Sequence, residues 1–228
     1  NVYISRNLEF STYFLRKSYS CTGTRERVNP GLIVVLSTAT IGLGAELGGK
    51  MAAIEHIFTW AASQLEERKT GQSSMTRHQK IHAIAGVGLA GDRYAKKAGL
   101  YSGMNFTCQQ VTLFDVAQYD ELLNKPRMRQ AQLTIPSLRR NIGLRCNAQT
   151  NILSWVGHEI EIGEAVLFVH MHGNPCPALE KTLKAAGFQE AAWDLCGVHA
   201  EVVQSGDMAL GDEVRVRPGG PHPERITG

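Results

Sequence analysis

Glu164-Ala-Val-Leu-Phe-Val-His170-Met-His-Gly-Asn-Pro-Cys176-Pro-Ala-Leu-Glu180 runs from a strand through a turn into a helix and sets one thiol at the junction. Residues 164–169 are a compact apolar, β-branched run of strand length, and Gly173-Asn174-Pro175 carries the turn chemistry that ends it. Pro177 suits the first position of a helix, 178–186 is rich in helix formers, and Gly187 is able to take the left-handed conformation that closes a C-terminus. Cys176 is therefore expected at the helix cap. Unpaired N–H groups and the positive end of the helix dipole favour a thiolate there, the form of cysteine that acts as a nucleophile or soft metal ligand. The alternative is a buried, inert thiol.

Upstream, residues 158–162 and 164–169 alternate as a hairpin through Gly163-Glu164, preceded by an apolar stretch at 153–156. Further back, Ser137-Leu-Arg139-Arg140-Asn141-Ile-Gly-Leu-Arg145-Cys146 sets three arginines within seven residues. If this stretch is a strand, Arg139 and Arg145 share one face and Arg140 lies on the other. Residues 110–114 read as a strand, with Asp115 capping a helix at 116–123 whose Val116, Tyr119, Leu122 and Leu123 share a face. Residues 52–58 and 80–85 read as strands on either side of a polar segment, 63–77, in which Gly71-Gln-Ser-Ser suggests an exposed loop. Downstream, 198–203 and 213–216 are expected to pair across a turn at 205–207, and 218–228 is a Pro/Gly-rich tail expected to fray. Some eight strands with two or three helices, without βαβ alternation, describe a mainly β domain of barrel type.

The 228 residues are 43% apolar and 20% charged, the profile of an ordinary globular protein. A net charge of +3 is too small for a duplex nucleic-acid surface but suits a small anionic ligand. Five cysteines, an odd number with no C-x-x-C spacing, argue against a disulfide framework or a zinc knuckle and for a reducing, cytoplasmic setting. Residues 1–50 read as an extension, disordered, targeting or belonging to an upstream start. They carry five basic residues against two acidic ones before Glu46, and the apolar run at 31–43 is too short to span a bilayer. Met51 resembles a natural start.

Gly86-Val-Gly88-Leu-Ala-Gly91 matches G-x-G-x-x-G, but 92–103 offers no helix to pack behind it, which sets a dinucleotide site aside. Asp92 and Arg93 sit in this turn, where a short carboxylate commonly bonds its own backbone. Arg139, Arg140 and Arg145, with Arg93, Lys96 and Lys97, suit a phosphate through their charge and, for the arginines, forked donors; a solvated surface is the competing explanation. A zinc site at His170, His172 and Cys176 lacks an evident fourth ligand. Cys108, Cys146 and Cys196 lie in or beside apolar strands and read as core residues. No G-x-S-x-G elbow supports a serine hydrolase.

Taken in order, these segments resemble the MOSC domain family. Gly88-Leu-Ala-Gly91-Asp92-Arg93-Tyr94 is similar to its G-x-x-GDR-[HY] turn, Gln110-Val-Thr-Leu-Phe114 to the following strand, and Arg139-Arg140-Asn141 to its RRN motif. Val156-Gly157 and Ile162-Gly163-Glu164-Ala165 resemble its hairpin, and Asn174-Pro175-Cys176 with Leu179-Glu180 its cysteine motif. Gly197-Val-His-Ala-Glu-Val202 and Gly211-Asp212-Glu213-Val214 resemble its closing strands, so the likeness runs from about Met51 to Val216. It implies a MOSC-type β-barrel over 51–217 with a few peripheral helices. It also implies a pterin-based molybdenum cofactor, with Cys176 as metal ligand or sulfur carrier. Asp92, Arg93, Arg139, Arg140, Asn141 and Arg145 would then surround the cofactor, the arginines holding its phosphate. Cys146 and Cys196 depart from the family's usual glycine or polar residues, and residues 1–50 have no counterpart.

Three functions are compatible with this resemblance. The first is a reductase of N-hydroxylated small molecules that draws electrons from an outside donor, since no ferredoxin-like cysteine set is present. The second is a sulfur carrier with a persulfide on Cys176 that serves cofactor synthesis. The third is a non-catalytic cofactor-binding domain.

Overall fold

The computed structural model describes residues 50–60, 75–98 and 107–226. Their strands are β1 (Ala52–Trp60), β2 (Met75–Arg77), β3 (Lys80–Ile84), β4 (Gly88–Leu89), β5 (Val111–Asp115), β6 (Ile142–Cys146), β7 (Glu159–Ile162), β8 (Ala165–His172), β9 (Val198–Gln204), β10 (Gly206–Ala209) and β11 (Glu213–Val216). The described α-helices are α1 (Val116–Asn124), α2 (Pro126–Gln130), α3 (Pro177–Leu183) and α4 (Phe188–Ala191). The extension expected at 1–50 and the loop expected at Gly71-Gln-Ser-Ser lie outside the described residues, apart from Lys50.

Seven strands run β11-β7-β8-β9-β5-β6-β1, and pairing of Ala52 with Val214 brings β11 back to β1. The closed ring is a β-barrel, which leaves its strands no open edge. β5 and β6 pair in parallel and the other ring neighbours are antiparallel. A parallel pair needs a crossover connection, supplied here by α1, α2 and a 3₁₀ turn at Ile135–Leu138. β2 extends from β1, and β10-β3-β4 form a separate three-stranded sheet.

All five residues of β5 are buried, because both of its faces are covered. Leu113 points into the barrel core with Ile57, Ile142, Leu167 and Val198. Phe114 points outward into a second core with Tyr119, Leu122, Met128, Leu179, Phe188 and Cys196. The Phe114 and Tyr119 rings stack at 4.4 Å. The strand whose sequence decides the fold, β8, is thereby followed by helices that pack onto this second core.

Local expectations hold in several places. Asp115 caps α1, its Oδ1 accepting from Ala117 N at 2.9 Å, and β7–β8 is a hairpin. Other features differ or are newly defined. The helix after Cys176 ends at Leu183 because Lys184 takes the left-handed conformation (φ 52°), and Gly187 (φ 81°) instead opens α4. β9 lies between β8 and β5 rather than against β11, and residues 206–209 are a strand paired with β3 rather than part of a turn. The apolar stretch near 153–156 is a 3₁₀ helix, Ile152–Trp155, capped by Asn151. No helix among the described residues is long and apolar enough to cross a membrane.

Candidate functional site

Asp92 and Asn141 knit the floor of the site. The Asp92 carboxylate, 1% exposed, accepts from Trp60 N at 2.8 Å, Tyr94 N at 2.9 Å and Asn141 Nδ2 at 3.2 Å. Asn141 also donates to Phe58 O, and its Oδ1 accepts from both Thr112 N and Thr112 Oγ1. Between them, two short side chains join the end of β1, the glycine-rich turn, β5 and the entry to β6. Their polar atoms are turned inward onto protein groups, beside the neighbouring arginines. Residues 93–97 after Asp92 form turns.

Arg93 is buried, its guanidinium 3.2 Å from the centre of the Trp60 ring and 4.8 Å from that of Tyr94. The Arg139 guanidinium lies 4.6 Å from the same Trp60 ring. Arg139 is not on a strand: it closes the 3₁₀ turn in the left-handed conformation (φ 58°), and β6 starts only at Ile142. The face-sharing expected for Arg139 and Arg145 therefore fails. Trp60 is the platform that the sequence did not reveal, because it stands at the last position of a strand that reads as ending at Phe58.

Arg140 is buried, not solvated. Its Nη1 donates to His199 Nε2 at 3.5 Å, and Tyr119 and Cys196 also face it. Burial opposes its charge while Tyr119 and Cys196 favour it, and a guanidinium remains cationic in either case. Its Nε is buried with no hydrogen-bond partner among the described residues. Burial, and then the Arg140 charge, push His199 down to about 3, so its ring is neutral at pH 7. Because Arg140 only donates, His199 Nε2 accepts and Nδ1 carries the proton. That Nδ1 is also buried without a partner among the described residues.

Cys176 is exposed and caps α3 as its sequence suggests, its Sγ accepting from Leu179 N at 3.3 Å. The segment before it is bound to the one after α4 by Gly173 N donating to Gly197 O at 2.7 Å. Glycine is required at both ends of this contact. A Cβ on Gly173 would lie 2.6 Å from Cys196 O, and one on Gly197 (φ 74°) would overlap Leu113 O. Cys176 also acts electrostatically on Cys196, the same cysteine that faces Arg140. Burial raises the Cys108 and Cys196 thiols above their ordinary value and pushes Cys146 up to about 12, leaving Cys176 as the one exposed thiol among the described residues.

Other expected members lie elsewhere. Arg145 is exposed on β6 and makes a forked ion pair with Glu55 at 2.6 and 2.8 Å. Lys96 and Lys97 are exposed. His170 is buried beside Glu201 at 3.0 Å while His172 is exposed, because a register shift between Val169 and Met171 interrupts the alternation. His199, Tyr119, Cys196 and Trp60 join the site without having been singled out as site residues from sequence. His199, in a motif-like segment, and Cys196, as a departure from the family's usual residue, carried a usable signal.

A model of the MOSC domain matches residues 78–215, more than half of the chain. The chain belongs to the MOSC domain family. Among solved structures, this MOSC chain is similar to the YuaD protein from Bacillus subtilis, with a TM-score of 0.56 and 18% identity over 73% of this chain and 95% of that one. YiiM from Escherichia coli gives a TM-score of 0.54 at 11% identity, covering 78% of this chain and 76% of its own. YiiM from Geobacillus stearothermophilus gives 0.50 at 15% identity, covering 77% and 81%. At such identities the likeness concerns the fold. No curated protein matches the chain by sequence.

Proposed function

We propose that this MOSC protein binds a pterin-based molybdenum cofactor, with Cys176 as the protein's ligand to the metal. We further propose that it reduces N-hydroxylated small molecules such as hydroxylaminopurines or amidoximes. The observation that carries this reading is an exposed thiol, Cys176, together with a buried guanidinium, Arg140, whose Nε has no partner among the described residues, both of which interact electrostatically with Cys196. The donors suit such a group chemically. A thiolate is a soft ligand of the kind molybdenum accepts, and the buried Arg140 Nε, without a partner among the described residues, is a donor suited to a phosphate. Arg93 and Arg139, stacked on Trp60, add positive charge beside the Asp92–Asn141 clamp. Arg145, committed to Glu55, drops out of the proposed ligand set.

When bound, the cofactor supplies two-electron oxygen-atom chemistry, and the protein contributes ligation, orientation and charge. An outside electron donor and a reducing, cytoplasmic setting complete the proposal. The exposure of Cys176 equally favours a second reading, a persulfide carrier that meets a cofactor-synthesis protein. To separate them, wild type and Cys176→Ser are purified from cells that make the cofactor, then assayed for molybdenum, pterin and hydroxylamine reduction. The reductase reading expects metal and turnover to be lost together in a folded variant. Wild type without molybdenum but with a thiol-reversible sulfur on Cys176 would favour the carrier.

A further inference from the structure

His199 stands beside Arg140 with hydrogen-bonding capacity that the fold leaves unused. Its Nε2 accepts from Arg140 Nη1 at 3.5 Å, and its buried Nδ1–H has no partner among the described residues. On the same guanidinium, Nε is buried and likewise without a partner among the described residues. Unmade hydrogen bonds on buried groups are costly, and two on one contacting pair leave donors that a ligand is able to complete.

We propose that His199 takes up a proton when an anion binds against Arg140, so that the site captures anion and proton together. This rests on the assignment of Arg140 to an anionic ligand made above. Before binding, a second positive charge on His199 would face the Arg140 cation away from water. An arriving anion offsets that cation. A proton from solvent then adds to His199 Nε2, which ceases to accept from Arg140 Nη1. Nη1 is released to donate to the anion, and the imidazolium offers both of its N–H groups.

The groups around His199 leave it as the one that changes charge. Its strand neighbours, Thr112 on β5 and Met171 on β8, do not titrate. Tyr119 from α1 and Cys196 from the turn before β9 face Arg140, and burial keeps both protonated. Glu201, two positions along β9, is engaged with His170 of β8.

Inorganic sulfate is a suitable probe, since it keeps both charges from pH 5.5 to 7.5 and any pH dependence then belongs to the protein. Calorimetric titration should show wild type binding sulfate about threefold or more tightly at pH 5.5 than at pH 7.5. His199→Gln, which keeps a donor and an acceptor but does not titrate, should lose that dependence. Arg140→Leu should lose sulfate binding at both values. On wild type, NMR should show the His199 ring titrating at higher pH with sulfate than without, a readout that needs no variant. If affinity is independent of pH and sulfate leaves the ring's titration unmoved while Arg140→Leu still abolishes binding, proton coupling is wrong and the anion site stands. If Arg140→Leu binds sulfate as wild type does, the anion site itself is wrong and the coupling falls with it.

Discussion

Arg140 and Arg145 are five residues apart on one short segment, yet they occupy opposite physical regimes. At the entry to β6, Arg140 is buried against a tyrosine, a thiol and a neutral histidine, beside an asparagine whose amide is fully engaged. Further along, Arg145 lies on the surface in a forked pair with Glu55. A cluster of like charges in sequence is thus two structures in space, one of them tied to a site. What separates them is the neighbouring chain: β1 offers Arg145 a carboxylate, whereas α1 and the turn before β9 offer Arg140 only neutral polar groups. An ion buried without a counterion is costly, so its retention calls for a compensating ligand.

The contrast makes graded predictions. The largest effect is expected at Asn141→Ala, which removes an amide that holds four groups, Thr112 N, Thr112 Oγ1, Phe58 O and Asp92, and leaves a buried carboxylate less satisfied. A loss of about 3 kcal/mol in urea unfolding is expected, and a loss under about 1 kcal/mol would show that the entry to β6 is no more built than its far end.

An intermediate effect belongs to His199 and depends on pH. Its folded value is depressed to about 3 from 6.5, so the unfolded chain takes the proton first. Stability should be unaffected above pH 6.5 and should decline as pH falls toward 3, by up to about 1.4 kcal/mol per pH unit. Melting of His199→Gln compared with wild type from pH 7.5 to 5 should show this slope in wild type alone. Parallel curves would mean that His199 is not held neutral by its surroundings.

The smallest effect is expected at Arg145→Ala, at most about 1 kcal/mol, because the pair is exposed and screened by salt. The Arg145 hydrogen bond lowers the Glu55 value from 4.5, so this contribution is present above pH 4.5 and disappears as pH falls through the lowered value. Cofactor content should not change. If Arg145→Ala loses cofactor as Arg140→Ala does, the division between the two ends of β6 is mistaken.

Much of the fold was legible because local chemistry determined it. Alternation marked β1, β3, β5 and the β7–β8 hairpin, Asp115 marked the start of α1, and Pro177 marked that of α3. What was not legible depends on partners distant in sequence. The β11–β1 pairing that closes the barrel and the β10–β3 pairing carry no short-range turn signal. Lys184 rather than Gly187 closes α3, in a left-handed conformation that glycine usually takes. In the site, Cys176 and the arginines were visible as chemistry, but which arginines are buried was not, because the burial of Arg140 comes from packing against Tyr119 and Cys196 of the second core. Tyr119 read as part of an apolar helix face and Trp60 fell beyond the strand as read, and their contacts with guanidinium groups are what distinguish them.

The central claim, that Cys176 is the thiol that meets the cofactor, is tested most directly by limiting alkylation with peptide mapping near pH 7, before and after cofactor loading. Cys176 is exposed, whereas burial raises Cys108, Cys146 and Cys196 above their ordinary value, so Cys176 should be labelled first among these four in cofactor-free protein. Loading with molybdenum cofactor should then protect it while leaving the other three as slow as before. Labelling of Cys176 at an unchanged rate in protein shown to carry bound molybdenum would contradict the claim.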